Sequence, residues 1–153
     1  MGATINADTN ADDAKATCVI STAATIESHG ALGRRPKWLY VSPMLVETLE
    51  ALLADDDAVR AVAVFDDLGS LVASAASDAF DESAFSVVVR AWLAARTAAA
   101  AWTELRLEGP QRAFVVRAVG PALFAAEVDP AAPLGRVAMR MRLLHNPILG
   151  ALP

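Results

Sequence analysis

One cysteine, Cys18, stands among 153 residues. A single thiol excludes an internal disulfide framework and a zinc site built on cysteines. Cys18 has no helix start and no adjacent basic residue to lower its pKa, so it reads as an idle thiol and not as a nucleophile. Histidine is scarce too, with only His29 and His145, far apart in the chain. Lysine occurs twice against eleven arginines, and the net charge is −5. That balance excludes a general phosphate-backbone binder, whose affinity needs clustered Lys and Arg, so no nucleic acid is expected as a partner. No apolar run reaches the roughly 18–20 residues that span a bilayer, so no transmembrane segment is expected. Residues 1–15 carry Asp8, Asp12 and Asp13 and no apolar core, so they do not read as a signal peptide, and the expected compartment is the cytoplasm. No G-x-G-x-x-G, P-loop or H-E-x-x-H pattern occurs. No catalytic residue, cofactor or metal is assigned.

What the chain has in quantity is small apolar side chains. Apolar residues make up 55% of it, and 34 of the 153 residues are alanine. That is enough for a core and about right for one domain. Residues 1–15 lack periodicity and read as a disordered tail. Residues 1–41 as a whole read as an N-terminal extension, with Gly30, Gly33 and Pro36 breaking any longer element.

Order is expected from Ser42-Pro43, a favoured N-cap followed by a favoured first helical residue. Leu45, Leu49 and Leu52 then recur at helical spacing. Asp55-Asp56-Asp57 closes that helix and reads as a solvated loop, because the later ligands of a hard-cation site are missing. Residues 59–65 and 71–73 read as strands joined by the turn Asp66-Asp67-Leu68-Gly69.

A long helix follows over residues 82–102. Phe85, Val88, Val89, Trp92 and Trp102 lie on its apolar stripe, where both tryptophans are expected in the core. Its opposite stripe holds Ser83, Ser86, Arg90, Ala94, Thr97 and Ala101. Such a face is small and nearly uncharged, and lets another backbone approach closely.

Three short strands come next, at residues 103–108, 113–119 and 123–128, separated by Gly109-Pro110 and Gly120-Pro121. A helix over residues 134–144 is stopped by His145-Asn146-Pro147, so the domain is read as residues 42–146 and residues 147–153 as a C-terminal tail. Tight turns between strands give an antiparallel sheet with helices on its faces, an α+β fold in the order α-β-β-α-β-β-β-α. Charge divides along the chain: residues 1–89 hold 5 basic and 14 acidic side chains, and residues 90–153 hold 8 and 4. Arg136, Arg140 and Arg142 fall on the last helix, where they are candidates for steering an acidic partner.

This series resembles the Roadblock / dynein light chain domain in its bacterial and archaeal form. V-R-A-V-A-V-F-D-D-L-G-S-L-V-A-S from Val59 is similar to the family's first hairpin, and F-V-V-R-A-V-G from Phe114 to its fourth strand. A-L-F-A-A-E-V-D-P-A-A-P-L-G-R-V from Ala122 resembles the last strand running into the final helix. The match spans about residues 46–144. About forty residues precede Ser42, which departs from the family's usual start. The resemblance implies a non-enzymatic domain that forms a homodimer, or a heterodimer with a paralogous Roadblock-type subunit, with one continuous sheet. It implies a partner or regulator of a Ras-like small GTPase. The interface it points to comprises Arg90, Ala94, Thr97 and Ala101 on the long helix, Arg106 on the following strand, and Arg136 and Arg140 on the last helix. Two rival readings are a purely structural scaffold and a small-molecule sensor.

Overall fold

The structure, a computed structural model, describes residues 41–98 and 102–152. Its elements run α1 (Pro43–Asp55), β1 (Val59–Phe65), β2 (Leu71–Ala76), α2 (Glu82–Ala98), β3 (Glu104–Glu108), β4 (Ala113–Val119), β5 (Ala122–Val128), α3 (Leu134–Leu143) and α4 (His145–Ala151). The strands form one five-stranded sheet in the order β2-β1-β5-β4-β3. Every neighbouring pair is antiparallel. The α+β class and the helix-strand order expected from the sequence are observed, with α4 added at the end. The readings made for residues 1–40, Cys18 and His29 among them, and for Ala101 lie outside the described residues.

Each strand turns alternate side chains to opposite faces, and both faces here are apolar. Val62, Val64, Val115, Phe124 and Val128 meet α1, α3 and α4 on one side. Ala61, Ala63, Phe65, Val116 and Ala125 meet α2 on the other. Burial on both faces explains why β5 reads as a near-continuous apolar run: all seven of its residues are buried. The α2 side is closed by aromatics, with Phe85 and Phe114 edge to face at 5.4 Å between ring centres.

The turns follow local chemistry. The Asp66 carboxylate accepts the backbone N–H of Leu68 at 3.0 Å and of Ser70 at 2.7 Å, which folds the β1–β2 turn around Gly69 at φ +84°. Gly120, at φ +58°, opens the two-residue loop between Val119 and Ala122. Positive φ at the first loop position followed by proline is the sign pattern of a type II′ hairpin. Pro43 opens α1 as expected, although the Ser42 side chain makes no capping hydrogen bond.

Three expectations are corrected. Pro147 does end α3, because proline has no N–H to offer the Leu143 carbonyl and its ring clashes there. It does not end helical structure. The chain turns at Leu144 and restarts as α4, whose first turn tolerates proline because its N–H groups lack intrahelical partners. The residues read as a tail therefore place Ile148 and Ala151 in the core. Trp102 is not in the core with Trp92: it lies beyond α2 and is 49% exposed. Asp56 is not solvated. It is 4% exposed and is held by Arg136 and Arg140.

Candidate partner interface

The strand β3 forms one edge of the sheet. Its pairing groups can be assigned by alternation. Ala118 N–H donates to Thr103 O at 3.0 Å, and Gly109 N–H donates to Arg112 O at 2.9 Å. Odd-numbered residues of β3 therefore turn their backbone groups toward β4, and Glu104, Arg106 and Glu108 turn theirs outward. A row of open donors and acceptors on an edge strand is a template for another strand. Leu105 and Leu107 pack on the α2 face of the sheet, so a strand added here would continue the apolar surface beneath α2.

Helix α2 buries Phe85, Val88, Val89 and Trp92 and exposes Ser83, Val87, Arg90, Ala91, Ala94 and Thr97. Arg90, Ala94 and Thr97 thus face outward as the sequence suggested. The Thr97 hydroxyl is turned inward on its own helix, donating to Leu93 O at 3.0 Å. Val87, 64% exposed, and Ala91 belong to the same face and were missed. The sequence did not separate them: stripes through Ser86 and through Val87 both fit helical spacing, and the structure half-buries Ser86 while exposing Val87.

The N-terminus of α2 is tied to the sheet. Asp81 accepts Ala84 N–H at 3.1 Å and Arg112 Nη1 at 2.8 Å. Those hydrogen bonds, the backbone one first, hold its carboxyl below the ordinary range. Arg112 also reaches Glu127 at 3.2 Å, which satisfies a carboxylate buried under α2.

The remaining candidates lie on the opposite face and are engaged within the chain. Arg106 donates twice to Glu104, at 3.0 and 2.8 Å. Arg117 and Arg142 converge on the same carboxylate. Burial alone would raise the Glu104 pKa, but hydrogen bonds from Arg142 and Arg106 outweigh it and lower the value. Arg136 donates to Asp56 at 3.0 Å, and Arg140 donates to the Asp55 carbonyl at 2.7 Å. These two arginines, read from the sequence as free steering charges, clamp the C-terminus of α1 to α3. The six predicted interface residues that the structure describes therefore do not form one surface. Arg90, Ala94 and Thr97 share the α2 face, while Arg106, Arg136 and Arg140 sit behind the sheet.

Among the described residues, no group of three or more His, Cys, Asp or Glu side chains is placed to hold a metal ion. No helix among them is long and apolar enough to cross a membrane.

No family model and no curated protein matches the chain. Solved structures do. Gliding protein MglB from Thermus thermophilus matches with a TM-score of 0.66 at 22% identity, over 78% of this chain and 98% of that one. MglB from Myxococcus xanthus matches with a TM-score of 0.60 at 18% identity, over 71% of this chain and 94% of that one. A Roadblock/LC7 domain from Streptomyces avermitilis matches with a TM-score of 0.56 at 11% identity, over 65% of this chain and 90% of that one. At such identities the likeness establishes the architecture: the chain has the Roadblock/LC7 fold.

Proposed function

We propose that the protein is a non-catalytic, dimeric adaptor of the cytoplasm that binds and regulates a Ras-like small GTPase. It would pair with a second copy, or with a paralogous Roadblock-type subunit, through β3 and α2. The observation that carries this reading is the open edge of β3 beside the exposed small face of α2. Main-chain pairing at the edge would extend the sheet, and Ala91 and Ala94 would let a second α2 approach closely. Two α2 helices over one long sheet make a broad, rigid platform for a globular partner. The GTPase itself is inferred from the sequence resemblance together with the fold, and a fold alone hosts many functions. Such a regulator acts by positioning the GTPase's own catalytic and switch groups.

Two measurements test the proposal. Sedimentation should find self-association, and Ala94→Glu combined with Val87→Glu should abolish the α2–β3 contact with the melting temperature nearly kept. Calorimetry against the small GTPases of the source genome, in both nucleotide states, should find one bound in a nucleotide-dependent way. Binding that is absent or indifferent to nucleotide would give the case to a structural scaffold.

A further inference from the structure

The helical layer behind the sheet has a charge pattern of its own. Helix α1 carries Glu47, Glu50 and Asp55 and no basic residue, whereas α3 carries Arg136, Arg140 and Arg142 and no acidic residue. Internal pairing leaves this division in place. Arg136 and Arg140 share Asp56, and Arg106, Arg117 and Arg142 share Glu104, so five guanidinium groups rest on two carboxylates. The carboxylates of Glu47, Glu50 and Asp55 have no ion pair among the described residues. The α1 flank is therefore acidic and the α3 flank basic.

Between the flanks lies a groove of about 450 Å³ lined by Ala51, Leu52, Asp55, Arg140, Leu143 and Leu144. Of the residues that line it, Leu143 is 73% exposed, and elsewhere on the same two helices Met139 is 57% and Met44 60% exposed, apolar side chains where water would favour polar ones. An apolar strip between walls of opposite charge fits a surface that has the same two walls in reversed order.

We infer that this face binds the same face of a second copy, with the acidic α1 of each lying along the basic α3 of the other. The direction of the symmetry axis follows. Val59, just after α1, pairs with Val128, just before α3, so α1 ends where α3 begins and the two helices run antiparallel. A two-fold axis parallel to the helices sets α1 over the partner's α3 and keeps the pair antiparallel. An axis across the helices sets acid on acid and arginine on arginine. The contact is isologous, so each favourable pairing occurs twice and the assembly closes. It uses the side of the sheet opposite α2, so it coexists with an α2–β3 pair and joins two such pairs.

The test is sedimentation of the full chain at low and high salt with variants on each flank. Glu47→Lys with Glu50→Lys makes the α1 flank basic. Met139→Glu with Leu143→Glu adds two carboxylates to α3 beside its three arginines, and Leu143→Glu alone is the milder variant should the double one melt early. Each variant by itself should lose the assembly, its Kd rising about tenfold or more. An equimolar mixture of the two should associate more tightly than either variant alone, because one contact of the mixed pair joins the unchanged acidic α1 to the unchanged basic α3 and the other sets the new lysines beside the new glutamates. Ala94→Glu, on the far side of the sheet, should remove only the α2–β3 pair, so failure of one interface is read separately from failure of the other. Unchanged association in every flank variant would overturn the inference and leave the groove to a different protein. Loss in the variants with no recovery in the mixture would overturn it as well.

Discussion

Arg136 donates from Nη2 to Oδ1 of Asp56 at 3.0 Å, joining residues 80 positions apart. Arg140 approaches the other oxygen at 3.4 Å. The carboxylate is buried while both arginines are partly exposed, so removing the acid leaves two cations that water can still reach. Removing both arginines leaves a buried anion. Asp56→Ala should destabilise the fold by about 1–3 kcal/mol, and the double change Arg136→Ala with Arg140→Ala by more. Thermal melts of the two variants check the order. Equal melting temperatures would mean that the Asp56 carboxylate is better solvated than its burial indicates.

Acid should unfold the protein through carboxylates that arginines and backbone N–H groups hold ionised. Asp81, Glu104 and Asp129 all have lowered pKa values, the last through Ala131 N–H and then Arg60. For a lowered carboxyl the unfolded chain binds more protons, so the contribution is complete above the ordinary value and fades as pH falls through the lowered one. For Glu104 the loss begins below its ordinary 4.5. Glu104→Gln should lower the melting temperature at neutral pH and flatten its fall below that point. Melting curves across the acid range measure both effects, and parallel curves for the two proteins would remove Glu104 from the acid transition.

The elements of this fold were legible in the sequence because each is written in its own stretch of chain. Strands β1 and β4 have the bounds that their β-branched runs predicted, and the Asp66 turn is built from the chemistry that named it. The strand order was not legible, because β5 enters between β1 and β4 through contacts distant in sequence. Asp56 was misread for the same reason. An acidic triplet after a helix looks solvated unless two arginines 80 or more residues later are known to arrive. At the candidate interface, the period of α2 located Arg90 and Ala94. Nothing in the sequence separated outward arginines on α3 from arginines held by the chain's own carboxylates.

The last helix gives a sharper test. Ile148 is fully buried among α1 and sheet residues, although it follows the proline that signalled a chain end. Ile148→Ala should cost about 2–4 kcal/mol, the range for emptying a buried aliphatic site. Truncation after residue 146 removes Ile148 and Ala151 together and should cost more. Chemical denaturation with a midpoint unchanged by either change would return residues 147–153 to the status of a tail.

Gly120 should be among the least replaceable glycines, for two separable reasons. Its φ of +58° lies where a side chain is strained. A Cβ built there would also lie 2.6 Å from Cδ1 of Leu149 on α4. The first penalty belongs to the backbone and persists whatever faces the loop. The second belongs to a half-exposed side chain that can be shortened. Gly120→Ala should therefore destabilise the protein by about 1–2 kcal/mol from backbone strain, with the clash added. Leu149→Ala in the same background should recover only the clash. In a double-mutant cycle, the cost of Gly120→Ala should fall when Leu149 is already alanine, and should not reach zero. A cost independent of residue 149 would mean that Leu149 swings aside freely, and α4 would then be anchored by Ile148 and Ala151 without help from the β4–β5 turn.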